Sequence, residues 1–446
     1  MGGTWMYQNK VIPGAYINIV SKASTVGTLG DRGTVAVAMP MSWGTGAIKV
    51  TGEELLNGKS LEKIGVDLND DILKYRVALS GANACWFYRT NENGTGSAKA
   101  SVTVTDSWSI EAKYTGVAGN NIKVDISAGS TSWNVTVSMK DTVVEQLLNV
   151  TPEAGYETDF IKFVAVPAVI TAYNAQLSGG ADGSTQDLSG MYNALANKTW
   201  QCLAVYGCKT NTAYNSTIIT AIENYRDNNG KKVQGVVYQD VDTPNTTNNE
   251  GIIIVHQGFK TATETVDEDL FPIWVASATA GANVNESLTA RVVENAIEII
   301  EAVDSADYED VINDGRFFLA YRADGAIKVM KDINSFNQFQ TSKNYEFSKN
   351  RVMRTLDEIA NDIDLIFERN YEGKQSNDKT GRLLFKNELH NVLTQLYEVG
   401  AVDEPSMDDI TVEQGSAIDA VVVTLGVRPI DAMEILYLTV EVDANN

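Results

Sequence analysis

The stretch that decides the fold class reads QCLAVY at residues 201–206, VQGVVY at 233–238 and IIIVH at 252–256. All three runs are short and largely apolar, and the third is rich in β-branched residues, as strands that are buried on both faces usually are. Between the first two runs, apolar side chains recur at helical spacing from Tyr214 to Tyr225. Strands and a helix therefore alternate along the chain, and this order predicts an α/β core.

The α/β pattern extends on both sides of this stretch. A helix is predicted near residues 188–196, and the apolar run at 273–278 predicts another buried strand. Apolar side chains at helical spacing then predict an amphipathic helix that closes the region, with Leu288, Val292, Ile299 and Val303. We assign residues 182–345 to this α/β core domain.

Residues 1–92 divide into an arm and a small domain. Residues 1–22 contain no core of their own and are predicted to be an extended arm, broken at Pro13 and Gly14 and followed by β-forming side chains. Residues 23–92 are predicted to form a mixed α+β domain. Its predicted elements are a strand at 35–39, a short helix near 53–57 and a strand at 82–89.

A β-rich block occupies residues 93–181. Its segments at 101–105 and 133–137 alternate polar and apolar residues, as half-exposed antiparallel strands do. Flexible glycine-rich runs enter and leave the block at 91–96 and 177–183. This organisation predicts an inserted β-rich domain, which we place outermost.

The C-terminal residues 346–446 are predicted to form an α+β domain. One predicted helix carries an apolar stripe over 352–366, and a second carries one over 389–396. The last apolar segment, 435–442, alternates as a strand does and predicts an extended C-terminal β arm. The fold class is therefore multidomain, with α/β and α+β units and two terminal β arms.

Composition and charge exclude several classes of protein. The 446 residues include 58 acidic and 35 basic side chains, so the net charge of −23 argues against a broad basic face for nucleic acid. No apolar run approaches the roughly 20 residues that a membrane-spanning helix needs. The N-terminus also lacks the pattern of a secretory signal, so we expect synthesis and folding in the cytoplasm.

Candidate catalytic and metal-binding groups are sparse. Cys202 and Cys208 flank a predicted buried strand at a spacing that zinc sites do not use. His256 follows a strand end, where α/β enzymes place catalytic groups, but the sequence supplies no partner for it. Residues 52–60 imitate a phosphate-binding loop, yet their glycine spacing is one residue too long and two glutamates would repel phosphate. We therefore assign no catalytic residue, cofactor or metal ligand.

Charge is distributed unevenly along the chain. Residues 341–400 hold nine basic and ten acidic side chains, whereas the remainder is strongly acidic. A balanced stretch is typical of a helical surface with salt bridges, and it also suits a contact surface for another subunit. The basic candidates for such contacts are Arg351, Arg354, Lys374, Lys379 and Arg382.

Four motifs occur in a fixed order along the chain. They are KVIPGAYIN at 10–18, GDRGTV at 30–35, RVMRTLDEIA at 351–360 and VRPIDAMEILY at 427–437. Together they resemble the contractile tail sheath family, in the form found in phages and phage-derived elements of Gram-positive bacteria. The resemblance covers both ends and the α/β core, and it weakens in residues 93–181.

This resemblance implies a structural subunit and not an enzyme. Sheath subunits form stacked hexameric rings around a tail tube, and their contraction drives the tube through a cell envelope. The implied partners are further copies in a helical homopolymer, the tail tube protein, and baseplate and tail terminator proteins, without direct contact to nucleic acid or membrane. The implied location is the virion tail or a tail-like particle, after synthesis in the host cytoplasm.

The resemblance further implies that the arms add strands to neighbouring subunits. The charge-balanced residues 341–400, with the five basic candidates, are our candidate surface for facing the tube or adjacent rings. The expected strand-exchange residues are Val11, Ile12, Tyr16, Ile17, Ile19, Val20, Ile435, Leu436, Leu438, Val440 and Val442. Ordering ten residues of the N-terminal arm costs about 10–20 kcal/mol, and burying its apolar side chains returns roughly 9–18 kcal/mol. The arm should therefore become ordered only when it extends the sheet of another chain.

Two other functions remain open on the sequence alone. An α/β hydrolase-like or nucleotide-using enzyme built on residues 184–304 would require a pocket with convergent polar groups. A non-contractile, self-assembling shell protein would share the arms but would need no tube.

Overall fold

A computed structural model describes residues 32–105, 108–128, 132–151, 153–166 and 172–441. Helices and several sheets are mixed along the chain, as the predicted fold class requires. None of the helices in the described ranges is long and apolar enough to cross a membrane. The predicted N-terminal arm, residues 1–22, lies outside the described residues.

The described chain begins with a strand that becomes a central strand of the main sheet. The first elements are β1 Thr34–Met39, β2 Ala47–Thr51, α1 Gly52–Leu56, α2 Ser60–Ile64, α3 Leu73–Ala78 and β3 Ala84–Arg89. Thr51 starts α1 with a capping box: its hydroxyl accepts from the Glu54 N–H, and the Glu54 carboxylate accepts from the Thr51 N–H. The predicted strands at 35–39 and 82–89 and the helix near 53–57 are confirmed.

Two antiparallel sheets form the inserted β-rich block. Their strands are β4 Lys99–Thr105, β5 Trp108–Thr115, β6 Ile122–Ala128, β7 Trp133–Met139, β8 Thr142–Val150, β9 Ile161–Ala165 and β10 Tyr173–Gln176. The strand orders are β10-β6-β7-β8 and β4-β5-β9, around one apolar core. The chain enters and leaves through a narrow neck, where Ala98 bridges to Ala181 and Ser101 bridges to Ser178.

The main sheet has six strands and carries the predicted α/β core. The elements that complete it are α4 Met191–Ala196, β11 Cys202–Val205, α5 Ala213–Glu223, β12 Gln234–Tyr238 and β13 Ile252–Val255. The strand order is β13-β12-β11-β1-β3-β2, parallel throughout except for β2. Gly235 lets α5 lie close to β12, because a Cβ at this position would lie 2.7 Å from Ile222 Cγ1.

The same sheet joins two segments that the sequence assigns to separate domains. β1 to β3 come from residues 23–92 and β11 to β13 from 182–345, and their side chains share one apolar core. The join depends on parallel pairing of β1 with β11, in which Val35 lies opposite Cys202. Because no local pattern records so distant a partner, the sequence could not show that these segments form one unit.

A second group of elements follows the strands of the main sheet along the chain and precedes the C-terminal helices. It contains β14 Gly258–Thr261, β15 Thr265–Val266, α6 Phe271–Gly281, β16 Ala296–Ile300, α7 Tyr308–Asn313, β17 Leu319–Tyr321 and β18 Ile327–Val329. The strand predicted at 273–278 is wrong, because these residues lie in α6, whose first turn contains Pro272. A short apolar run does not distinguish a buried strand from a buried helix.

The amphipathic helix predicted over residues 288–303 is also wrong. Positive φ angles of 64° at Ala290 and 60° at Asn295 interrupt any helix there. Ile299 instead lies in β16, where it pairs with Phe259 of β14. The apolar spacing that suggested a helix therefore arises from loops and a strand: Leu288 and Ile299 share one core, whereas Val292 is exposed and Val303 packs against another cluster.

The C-terminal domain consists of two long helices and a small sheet. Its elements are α8 Asn350–Ile366, α9 Lys379–Glu398, β19 Ile410–Gln414 and β20 Val421–Leu425. α8 continues into a π-helical turn at Phe367–Tyr371. Asp378 caps α9 by accepting a 2.7 Å hydrogen bond from the Gly381 N–H. Both helices predicted from the apolar stripes are confirmed.

Candidate subunit interface

The sheet of the C-terminal domain has two strands in the part of the chain that the structure describes. β19 and β20 pair antiparallel, from Ile410 opposite Leu425 to Gln414 opposite Val421. Since neighbouring strands lie about 4.8 Å apart, this is a narrow sheet with two free edges. Each edge presents backbone N–H and C=O groups to which a further strand could pair.

This narrow sheet leaves the C-terminal core partly uncovered. The core contains buried side chains of α9, namely Phe385, Leu389, Val392, Leu393 and Leu396. The strand residues that pack against it stay partly exposed, namely Val412, Val421, Val423 and Leu425. α9 has 20 residues and is about 30 Å long, much longer than two strands are wide. Further strands on either edge would complete the cover of this core.

The C-terminal segment exposes a run of apolar side chains. Ile435, Leu436, Tyr437, Leu438 and Val440 each expose between 69% and 90% of their surface. In the isolated chain residues 435–441 belong to no sheet, and Val442 lies outside the described residues, so the strand at 435–442 stays a prediction for the assembled state. A strand requires a hydrogen-bonding partner along its length, and the described part of this chain supplies none.

The chain is held firmly just before this exposed segment. Ile430 donates from its N–H to the Ala401 carbonyl at 3.0 Å. The Glu434 carboxylate then accepts from the Lys349 ammonium and, at 2.7 Å, from the Thr289 hydroxyl. Burial works to lower the pKa of Lys349, but the hydrogen bond and charge of Glu434 raise it above its usual value. The C-terminal segment is therefore fixed up to Glu434 and exposed beyond it.

The described part of the chain begins at a largely buried arginine. Arg32, the first described residue, places Nη1 3.0 Å from a carboxylate oxygen of Glu358 in α8, and both side chains are largely buried. Its guanidinium also donates to the carbonyls of Ala282 at 3.1 Å and Thr279 at 3.4 Å. The predicted strand-exchange residues Val11, Ile12, Tyr16, Ile17, Ile19 and Val20 lie outside the described residues, so their role stays a prediction.

The five basic candidates do not form one surface. The prediction of Arg354 as a surface contact is wrong, because only 1% of its side chain is exposed and it pairs with the equally buried Asp332. Arg351 is partly buried and donates to the Gly400 carbonyl at 3.4 Å. Lys374 and Lys379 are exposed between α8 and the first turn of α9. Arg382 is partly buried and donates to the backbone carbonyl and the side-chain oxygen of Asn377, at 3.0 and 2.9 Å. Part of the charge balance of residues 341–400 therefore lies inside the protein.

The start of α9 presents an apolar surface that the sequence reasoning missed. Leu383 and Leu384 are both about half exposed, while Phe385 points into the core. Lys379 and Lys386 flank the two leucines on the same helix. A helix cannot bury three consecutive side chains against one neighbour, so this run of apolar residues was a signal for an exposed patch.

The side chains considered for catalysis are isolated in the interior. His256 is fully buried, and burial together with the charge of Arg316 lowers its pKa to about 4. Burial likewise raises the pKa of the Cys202 and Cys208 thiols to about 12. Across the described ranges, no group of three or more histidine, cysteine or carboxylate side chains could hold a metal ion.

Comparison with known protein families identifies the family of this chain. Residues 181–335 match the model of the phage tail sheath protein central domain, and residues 342–443 match that of the phage tail sheath C-terminal domain. The chain belongs to the phage tail sheath family. Proteins of this family are structural and not enzymatic, so the enzyme built on residues 184–304 is set aside.

Individual relatives agree with this assignment over nearly the whole chain. The chain is 30% identical to the uncharacterized protein YqbK of Bacillus subtilis, covering 99% of each sequence. The crystal structure of a sheath tail protein from Listeria innocua is similar with a TM-score of 0.79 at 25% identity, covering 91% of this chain and 94% of that one. The helical sheath of the anti-feeding prophage in its contracted state shares the fold, with a TM-score of 0.57 at 10% identity over 97% of this chain and 100% of that one.

Proposed function

We propose that this tail sheath protein works as a helical polymer whose neighbouring copies are joined by strand addition to β19 and β20. In this proposal the subunits form stacked hexameric rings around a tail tube. The polymer shortens and drives the tube through a cell envelope, without any chemical step in the sheath itself. Its partners are further copies of the chain, the tube protein, and the baseplate and terminator proteins at the ends.

One observation carries the proposal. The C-terminal domain combines a partly uncovered apolar core and two free strand edges with an exposed apolar segment of the same chain. The exposed segment cannot satisfy its own backbone groups, and the narrow sheet cannot cover its own core. A second copy supplies what each of them lacks, because an added strand pairs with an edge and buries its side chains at once.

The energies of a single contact are close to balance. Fixing the seven residues 435–441 costs about 7–14 kcal/mol of backbone entropy. Burying the five exposed apolar side chains of this segment returns roughly 8–15 kcal/mol, and each backbone hydrogen bond adds about 1 kcal/mol. One such contact is therefore weak and reversible, whereas many contacts in a closed lattice give a strong assembly.

The tube contact is the second part of the proposal. Leu383 and Leu384 form an apolar patch on α9, and Lys374, Lys379 and Arg382 place positive charge around the start of that helix. A tube surface with apolar and acidic groups would complement this face. Exposed ion pairs are individually weak and screened by salt, which suits a surface that has to release its partner when the sheath moves.

The test is a truncation that removes only the exposed segment. A chain that ends at Glu434 keeps every element from β1 to β20 and should fold as a monomer, yet it should form no sheath with or without the tube protein. Negative-stain microscopy counts polymers, and circular dichroism checks the fold. A chain that lacks only residues 443–446 keeps every predicted strand-exchange residue, so it is the matched control and should polymerise.

Removing residues 1–20 tests the N-terminal arm in the same way. We expect a folded monomer that does not polymerise from this chain as well. Normal sheaths formed by either truncated chain would contradict the strand-addition proposal.

A further inference from the structure

We propose that one support inside the subunit positions both arms. This arm support consists of residues 279–289, which run from the end of α6, and residues 349–358, which form the start of α8. Arg32, the first described residue after the predicted N-terminal arm, and Glu434, just before the exposed C-terminal segment, both bind to it. We call Arg32 the N-terminal root and Glu434 the C-terminal root. The idea that the arms are pulled rests on the proposed sheath function, whereas the support itself is a property of the single chain.

The N-terminal root contacts both parts of the arm support. The Arg32 guanidinium pairs with Glu358 of α8 at 3.0 Å and donates to the Ala282 carbonyl at 3.1 Å. Burial raises the pKa of Glu358, and the charge of Arg32 opposes this rise. Because burying an ion is costly without a close partner, each member of this pair holds the other in place.

The C-terminal root contacts the same two parts. Glu434 binds Lys349, the residue just before α8, and Thr289, the last residue of the 279–289 segment. Lys349 also lies 3.2 Å from Asp431, so two carboxylates of the C-terminal segment converge on one buried ammonium. The two roots are thus held by opposite ends of a stretch of α8 that is about 13 Å long.

Buried polar contacts connect the two parts of the support to each other. The Thr355 hydroxyl donates to the Val284 carbonyl at 3.1 Å, and Arg354 donates to the Glu286 carbonyl at 2.8 Å. Asp332 lies between them: its carboxylate accepts from Arg354, from the Leu288 N–H at 2.9 Å and from Asn350 at 3.0 Å. The path from one root to the other therefore consists of charged or hydrogen-bonded groups on a rigid helix.

The support is also tied to the main sheet. Arg226 lies in the π-helical turn Asn224–Asn228 that follows α5. Its guanidinium makes two hydrogen bonds to the Asp357 carboxylate, at 2.8 and 2.9 Å. Gln234 of β12 donates to Asn350 at 3.0 Å. A pull on either arm is thereby passed along α8 to the whole sheet, and the subunit moves as one body instead of losing its ends.

Single-molecule pulling tests this assignment. The full-length chain is held at its two termini and stretched. Glu358→Gln removes the charge that pairs with Arg32, and Glu434→Gln removes the charge that pairs with Lys349. Both substitutions keep the size of the side chain. Both variants should unfold at least tenfold faster than the wild type at the same force. Glu298→Gln is the matched control, because Glu298 of β16 forms an exposed ion pair with Lys260 of β14. This variant should unfold at a rate within twofold of the wild type.

A second pulling direction separates positioning from general destabilisation. With handles on cysteines introduced at the exposed positions Leu56 and Val241, the two root variants should unfold at the wild-type rate. Equal acceleration in both directions, or wild-type rates under pulling from the termini, would overturn the arm support. Since the measurement uses single chains, its outcome is independent of whether the truncated chains polymerise.

Discussion

His256 should make the folded protein sensitive to acid. Its imidazole is fully buried at the end of β13, and neither ring nitrogen has a hydrogen-bond partner among the described residues. Its pKa is lowered from 6.5 to about 4 in the folded chain, chiefly by burial. Between these two pH values the unfolded chain binds the proton and the folded chain does not. The free energy of unfolding therefore falls as the pH falls through this window.

The size of the effect follows from the two pKa values. Between pH 7.5 and 4.5, this one group should lower the free energy of unfolding by about 2.5 kcal/mol. His256→Leu removes the titrating group. Between pH 7.5 and 4.5, the free energy of unfolding of the variant should therefore fall by about 2.5 kcal/mol less than that of the wild type. Urea unfolding of both proteins, followed by tryptophan fluorescence at several pH values, measures this difference.

The matched control for this experiment is His390→Gln. His390 is partly exposed on α9, where its ring contacts the Thr394 hydroxyl at 3.4 Å. This variant should keep the acid sensitivity of the wild type. Parallel pH curves for the wild type and His256→Leu would refute the reasoning, because they would mean that His256 takes up its proton in the folded protein as readily as in the unfolded one.

Two further predictions concern the join between domains and the insertion. Asp357→Ala leaves Arg226 buried without its carboxylate, so the free energy of urea unfolding should fall by about 3–5 kcal/mol. Asp364→Ala, at an exposed position of the same helix, should change it by less than about 0.5 kcal/mol, and equal effects would contradict this role of the pair. Replacing residues 99–178 by a short glycine-serine linker should keep polymer formation, because the chain enters and leaves at one neck. Folded chains that form no sheaths in the microscope would contradict the outermost placement.

The sequence predicted those parts of the fold that depend on local patterns. The buried strands β11 to β13, the helix pair α8 and α9, and the alternation in β7 all follow from the spacing of apolar side chains. The pattern was ambiguous in α6, where a short apolar run fits a buried helix and a buried strand equally well. Only Pro272, in the first turn of α6, favoured the helix.

The candidate interface was predictable in its outline and not in its details. The apolar C-terminal segment was visible as an alternating run, but nothing local shows that the segment lacks a strand partner among the described residues. Arg354 was mistaken for a surface charge because its partner Asp332 lies 22 residues away and its burial depends on tertiary packing. The contacts of Arg32 and Glu434 with the arm support were invisible for the same reason.

The two free edges of β19 and β20 have a consequence for the ends of the assembly. If each subunit donates its segment to one neighbour and accepts a segment from another, the contact is heterologous and the assembly has a direction. The last subunits at one end would hold unused segments, and those at the other end would hold unused sheet edges. These ends would differ chemically, so a protein that stops growth at one of them could not recognise the other.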